Sequence, residues 1–263
     1  MSVSLKQRVK EAIFPVINKL INPLSLSLRG KGDPNRTFYE FIDHLDRLNM
    51  KPRTVIDVGV AFGTPNLYRA TIGAQLYLVE PVPACAPILE KFKSQLGAYI
   101  FNVAAGSEDG EIEFNVHRDV SGSSALKQVE GKELDGTTYK VPVRRLDSII
   151  PSDIKGPVLL KIDTQGYEIE VIRGATETLK RVDVAILECS FNQYRIGAPE
   201  IGEVIVGMAE CGFLPYETLE GHYRPLDNAL GQIDVAFVKK DSPLRENPSA
   251  FSEAQLRKYL RRN

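Results

Sequence analysis

Hydrophobic positions change period along this chain. In residues 3–21, Leu5, Val9, Ile13, Val16, Ile17 and Leu20 share one helical face, with Lys6, Arg8, Lys10 and Lys19 elsewhere and Pro15 as a kink. The cluster from Gly30 to Pro34 breaks that pattern, and Phe38, Phe41, Ile42, Leu45 and Leu48 mark a further helix over 37–48. From Lys51 onward, short apolar runs alternate with helical stretches. Strands are expected at 54–58, 76–80, 99–104, 158–163 and 184–187, with helices at 83–96 and 168–179. Residues 111–116 and 139–145 alternate and read as an added hairpin. The strands 213–218 and 232–238 flank a short loop carrying His222 and Tyr223, which points to an antiparallel closing hairpin. The predicted fold is α/β: a Rossmann-like sheet, mostly parallel, with that hairpin at its edge and N-terminal helices. Its domains are a helical extension over 1–50, the Rossmann-like part over 51–240 and a helical tail over 241–263.

Chemistry concentrates at the ends of the strands. Thr54-Val55-Ile56-Asp57-Val58-Gly59-Val60-Ala61-Phe62-Gly63 reads as a buried strand running into a glycine-lined turn. The next strand ends in Glu80, placed to take both hydroxyls of a ribose. Together they predict a nucleoside site outside the carboxyl ends of the strands. The glycines run D-x-G-x-x-x-G, not the G-x-G-x-x-G that seats a pyrophosphate at a helix N-terminus. S-adenosylmethionine has no phosphate, so the pattern favours it over nicotinamide or flavin. Asn102 is placed to hydrogen-bond an adenine amine. Asp57, Glu80, Asp163 and Glu188 all close predicted parallel strands, and four acids on one rim point to a polar site.

Composition narrows the class. The chain has 263 residues, 43% hydrophobic and 25% charged, as expected of one α/β enzyme domain with additions. A net charge of −1 leaves no basic footprint for nucleic acid. Cys85, Cys189 and Cys211 are too widely spaced for a zinc knuckle or a disulfide framework, so a reducing, cytoplasmic setting is expected. No apolar run reaches the roughly 18 residues of a bilayer span. The helix over 3–21 is read as packing on the main domain, or on a second subunit in a homodimer, in preference to a membrane surface.

From 54 to 238 the chain resembles the FkbM family of S-adenosylmethionine-dependent methyltransferases. The most specific segment is Leu160-Lys161-Ile162-Asp163-Thr164-Gln165-Gly166-Tyr167-Glu168, similar to the family's L-K-I-D-x-E-G-Y-E. Asp57-Val58-Gly59, Glu80-Pro81, Asn102-Val103-Ala104, the Ser123-Ser124 loop and 143–147 support it. The departures are Val60-Ala61 in place of Ala-Asn, and Gln165 where an acid is common. The resemblance implies a class I methyltransferase sheet and O-methylation of a sugar, glycan precursor, nucleotide sugar or secondary metabolite. The expected cofactor contacts are Asp57, Gly59, Val60, Ala61, Phe62, Gly63, Glu80, Pro81, Asn102, Val103, Ala104 and Asp163.

Methyl transfer needs an aligned nucleophile and somewhere for one proton to go. Asp163 and Glu188 suit a general base, and the same pair suits Mg²⁺ or Mn²⁺. His222 is a further candidate base, with His117 behind it and His44 read as structural. Ser123, Ser124, Tyr167 and Glu168 are the expected acceptor contacts. Two other readings stay open on the residues: a nicotinamide-dependent oxidoreductase, and a non-catalytic nucleoside-binding protein of the same fold, which the Val60-Ala61 pair favours.

Overall fold

The computed structural model describes residues 35–129 and 136–261, so the expected helix over 3–21 and its dimer contact lie outside the described residues. The compact unit that contains the sheet starts at Thr37. Helix α1 (Phe38–Arg47) opens with a capping box, in which Thr37 Oγ1 accepts from Glu40 N–H and the Glu40 carboxylate accepts from Thr37 N–H. Phe38, Phe41, Ile42 and Leu45, at helical spacing, are buried. That packing draws α1 into the same unit as the sheet.

Strand β1 (Thr54–Val58) is buried at every position, as a central parallel strand with two covered faces should be. It is followed by α2 (Pro65–Ala70), β2 (Gln75–Val79), a 3₁₀ turn at Pro83–Cys85, α3 (Ala86–Leu96) and β3 (Tyr99–Phe101). Gly97, with φ 66°, closes α3 in the left-handed conformation. Then come β4 (Ala104–Ala105), β5 (Gly110–Val116), β6 (Thr137–Arg144), α4 (Leu146–Ile149) and β7 (Val158–Ile162). The remainder is α5 (Glu168–Arg173), α6 (Thr176–Leu179), β8 (Val184–Ser190), α7 (Ile201–Glu210), β9 (Phe213–Tyr223), β10 (Leu230–Lys239) and α8 (Glu253–Leu260).

Seven strands form the main sheet in the order β3-β2-β1-β7-β8-β10-β9. β3, β2, β1, β7 and β8 are parallel, and β10 runs antiparallel to both β8 and β9. This is the class I methyltransferase arrangement, with its antiparallel closing hairpin. Chain order reverses between β1 and β7, so their carboxyl ends flank the switch point where ligands bind in such sheets. Alternation puts Val55, Leu159, Ile186 and Ala236 on one face, in a core shared with α1, α2 and α3. Ile56, Leu160, Ala185 and Phe237 face the other core, which takes in α5, α6 and α7.

Four boundaries differ from the sequence reading. The third strand stops at Phe101, because Ala104 and Ala105 pair instead with Val143 and Arg144 of β6 in a second, three-stranded sheet. The helix expected over 168–179 is split at Gly174, where a Cβ would lie 1.9 Å from the carbonyl oxygen of Gly106. β8 continues to Ser190, opposite Gln232, so Glu188 lies within a strand. β9 and β10 are longer than their apolar cores, which places His222 and Tyr223 in β9 and moves the turn to 224–229.

Candidate active site

Two tight loops meet at the switch point. Gly59 has φ 81°, and a Cβ on it would sit 1.8 Å from the carbonyl oxygen of Asp163. Only glycine satisfies both conditions, and it lets the exits of β1 and β7 touch. Glu80 then pins the β1 loop: its Oε2 accepts from Ala61 N–H at 2.7 Å and its Oε1 from Val82 N–H at 2.8 Å. Burial pushes the Glu80 carboxyl up, against these two bonds. Between the loops lies a cavity lined by Val58, Gly59, Ala61, Glu80, Pro81, Val103, Ala104, Asp163, Thr164 and Tyr167.

The loop after β5 roofs this cavity with Val120, Ser121, Ser123 and Ala125. Ser123 and Ser124 are buried. Ser124 Oγ donates to the Gln165 carbonyl at 2.9 Å, and Arg195 Nη2 donates to the Gly122 carbonyl at 2.7 Å. With the roof down, about 40 Å³ is left, room for a few waters.

Beside the cavity lies a band of charge in which Asp57 and Lys161 are buried and Asp163, Glu188 and Asp234 half-buried. Asp57 pairs in register with Lys161, and Glu188 with Asp234. Lys161 Nζ donates to Asp163 Oδ2 at 3.0 Å. Gln165 Nε2 donates both to Asp163 Oδ1 at 3.0 Å and to Glu188 Oε2 at 2.6 Å, and Gln232 Nε2 reaches the same Glu188 oxygen at 2.6 Å. Asp57 Oδ2 accepts from the Tyr68 hydroxyl at 2.5 Å and from Thr64 Oγ1 at 3.1 Å. Asp57 Oδ1 and Asp234 Oδ1 are buried without a hydrogen-bond partner.

Protonation follows from this layout. Burial raises the Asp57 carboxyl, against Lys161 and the Tyr68 and Thr64 hydroxyls. Burial works the same way on Asp163, but the Lys161 ammonium and the hydrogen bonds from Gln165 and Lys161 outweigh it and hold that carboxyl below the usual range. Glu188 is pushed well up, first by burial and then by the charges of Asp163 and Asp234. Burial costs the Lys161 ammonium, yet Asp163, Asp57 and Asp234 more than restore it. The two neighbouring acids are thus shifted in opposite directions, Asp163 toward the ionised form and Glu188 toward the protonated one.

The structure separates the residues singled out in the sequence. Gly59, Ala61, Glu80, Pro81, Val103, Ala104, Ser123, Asp163 and Tyr167 share the cavity. Val60 is buried in the core, Phe62 is exposed, and Gly63 packs against the Phe92 ring. Asn102 is exposed and outside the cavity lining. Glu168 turns inward and caps the loop, its Oε1 accepting from Thr164 N–H, Thr164 Oγ1 and Gly166 N–H. His222 is exposed on β9 opposite Gln232 rather than in a rim loop. His117 Nδ1 hydrogen-bonds Asp119 at 2.6 Å, and His44 Nε2 the Tyr216 hydroxyl at 2.8 Å. Lys161 and Asp234 have no role in the sequence reading, although a charged residue inside a strongly apolar strand is a readable signal for each.

Asp163 and Glu188 do not fit a divalent cation as they stand, because an amide donor fills the space between them. Among the described residues no group of three or more His, Cys, Asp or Glu could hold a metal ion. Nor, among them, is any helix long and apolar enough to cross a membrane.

Solved structures similar to this chain include three methyltransferases. The 1,6-didemethyltoxoflavin-N1-methyltransferase of Burkholderia thailandensis, with S-adenosylhomocysteine bound, is 10% identical, with 92% of this chain and 93% of that one covered and a TM-score of 0.41. Magnesium protoporphyrin IX methyltransferase of Synechocystis, with S-adenosylmethionine bound, is 10% identical over 90% and 98%, with a TM-score of 0.42. An S-adenosylmethionine-dependent methyltransferase of Clostridium acetobutylicum is 8% identical over 88% and 99%, with a TM-score of 0.46. No curated protein matches the sequence. The family model described as the methyltransferase FkbM domain matches residues 57–215, which span β1 to β9 and take in both loops of the cavity. The chain belongs to the FkbM family of S-adenosylmethionine-dependent methyltransferases.

Proposed function

We propose that this protein methylates a hydroxyl oxygen of a sugar, glycan precursor or secondary metabolite, with the cofactor in the cavity between Gly59, Glu80 and Asp163. The observation that carries this reading is the carboxylate pair at the cavity edge: Asp163 lines the cofactor space and is tied to Glu188 through Gln165. Bound S-adenosylmethionine supplies an activated methyl group. The chain's own residues then have two tasks. Gly59 and Ala61 offer main chain that a ligand can approach closely, and Glu80 offers lone pairs to ribose hydroxyls. Asp163 takes up the acceptor's proton. A low-pKa carboxylate is a weak base, but an oxygen that has begun to bond a methyl group is far more acidic than the parent alcohol. The proton stays on Asp163 and passes to solvent when the products leave, while Glu188, tied to Asp163 through the Gln165 amide, holds that carboxyl in place. Tyr167 and the Ser123-Ser124 roof border the side from which the acceptor arrives.

Calorimetric titration with S-adenosylmethionine, S-adenosylhomocysteine and NADH, on wild type and Glu80→Ala, tests the cofactor assignment. Micromolar binding of both sulfur ligands and none of NADH is expected. The variant, checked for fold by circular dichroism, should lose roughly tenfold or more, because two backbone donors lose their acceptor along with the ribose contact. Undiminished binding to folded Glu80→Ala would move the cofactor elsewhere. An acceptor screen by mass spectrometry, reading a gain of one methylene on sugar and polyol hydroxyls, tests the substrate class.

A further inference from the structure

Gln165 is held more firmly than a loop glutamine needs to be. Its backbone is left-handed, with φ 55°, an uncommon state for a residue with a side chain. Its carbonyl is fixed by Ser124 Oγ. The next residue, Gly166, has φ 101°, and a Cβ there would lie 2.8 Å from that of Ala198. This backbone aims the side chain between β7 and β8. A primary amide has two N–H bonds, and both are used: one on Asp163 Oδ1, one on Glu188 Oε2. With the nitrogen end facing the acids, each receives a donor, whereas the amide oxygen would repel the Asp163 carboxylate.

Two carboxyl groups converging on one point have the makings of a hard divalent cation site. Here the point of convergence carries N–H donors, Gln232 adds another donor to Glu188, and the Lys161 ammonium sits 3.0 Å from the second Asp163 oxygen. Each of these would oppose a cation. We infer that Gln165 is a positioning residue that takes the place a divalent cation would occupy between Asp163 and Glu188, holding the two acids together and making the site metal-independent. Its consequence for turnover rests on the methyltransferase reading of this cavity; its consequence for cation binding does not.

The test is titration of the full chain with Mn²⁺, followed by calorimetry and by loss of the free-ion paramagnetic resonance signal. Wild type, Gln165→Glu and Gln165→Ala are compared, and S-adenosylmethionine binding is measured in parallel. Wild type should show no saturable Mn²⁺ binding below millimolar concentration. Gln165→Glu, with a third carboxylate in place of the donor, should bind one Mn²⁺ at least about tenfold more tightly, because hard-cation affinity grows with ligand charge. Gln165→Ala, which only empties the position, should fall between the two and keeps the test valid if the glutamate variant does not fold. Stoichiometric Mn²⁺ binding by wild type, or no gain in either folded variant, overturns the inference. If wild type fails to bind S-adenosylmethionine while the Mn²⁺ series behaves as expected, the methyltransferase reading fails and the inference about Gln165 stands.

Discussion

Replacing Asp234 by Asn should stabilise the protein, and by an amount that depends on pH. Asp234 lies on β10 directly opposite Glu188, with one oxygen buried and unpaired. Two acids facing each other across an antiparallel pair each disfavour ionisation of the other. Burial pushes the Asp234 carboxyl up to about 7, helped by Asp163, Glu220 and Asp57 and opposed by Lys161. From the ordinary 3.8 that is a shift of about three pH units, which at 1.36 kcal/mol per unit corresponds to roughly 4 kcal/mol. The sign follows from proton binding. Between pH 4 and 7 the folded chain keeps a proton on Asp234 that the unfolded chain has lost, so stability falls as pH rises. Below pH 4 both states are protonated and nothing is lost; above about 7 both are ionised and the full penalty applies.

Asparagine keeps the volume and cannot ionise, so the stability difference between Asp234→Asn and wild type isolates this one titration. Urea denaturation at pH 5, 6, 7 and 8 measures it, with other titrating groups cancelling to first order. The gap should widen in favour of the variant by ~1.4 kcal/mol per pH unit up to about 7 and then level off. A gap that stays flat from pH 5 to 8 refutes the reasoning. It would mean that Asp234 is ionised throughout and that the attraction of Lys161 has outweighed burial.

Two further substitutions probe the loops and the acid band. Gly59→Ala should destabilise by roughly 3 kcal/mol or more in urea denaturation, since φ 81° and a 1.8 Å approach to the Asp163 carbonyl leave its methyl no place. Tyr68→Phe removes the 2.5 Å donor to Asp57 and should cost about 1.5–3 kcal/mol. Because the lost bond favours the ionised form and burial raises the Asp57 carboxyl, that cost should grow as pH rises through the titration of Asp57; a cost that does not change with pH would show that Asp57 keeps one protonation state throughout.

The central strands were legible in the sequence because apolar runs such as 54–58 and 158–162 have two faces to bury and leave little room for another reading. Their ends were less legible. Glu188 looked like a terminus because an acid follows four apolar residues, yet backbone pairing with β10 carries the strand to Ser190 regardless of side chain. Gly174 inside a helical pattern gave no hint of its contact, which lies with Gly106 from a distant part of the chain. Of the loop residues expected to line one cavity, Gly59 and Glu80 do so, while Gly63 packs against Phe92. The pairing of Asp57 with Lys161 and of Glu188 with Asp234 was not legible, because it depends on strand order and register that only the folded sheet supplies.

The acid band has a consequence for methyl transfer itself. The sulfonium of the cofactor is positive, and its product is neutral at sulfur. Fixed negative charge near the reacting sulfur would therefore favour the ground state over the transition state, tightening cofactor binding at the expense of turnover. The fold limits that bias. Lys161 offsets Asp163 at 3.0 Å, while burial and the neighbouring acids push the Glu188 carboxyl well up and that of Asp234 up to about 7. The Glu80 carboxylate is screened by the two backbone N–H groups it binds. A buried ammonium within a central strand is costly to desolvate. Here that cost is offset: the ammonium is 3.0 Å from Asp163 and pairs in register with Asp57, so the carboxylate at the cavity edge is not an unpaired charge.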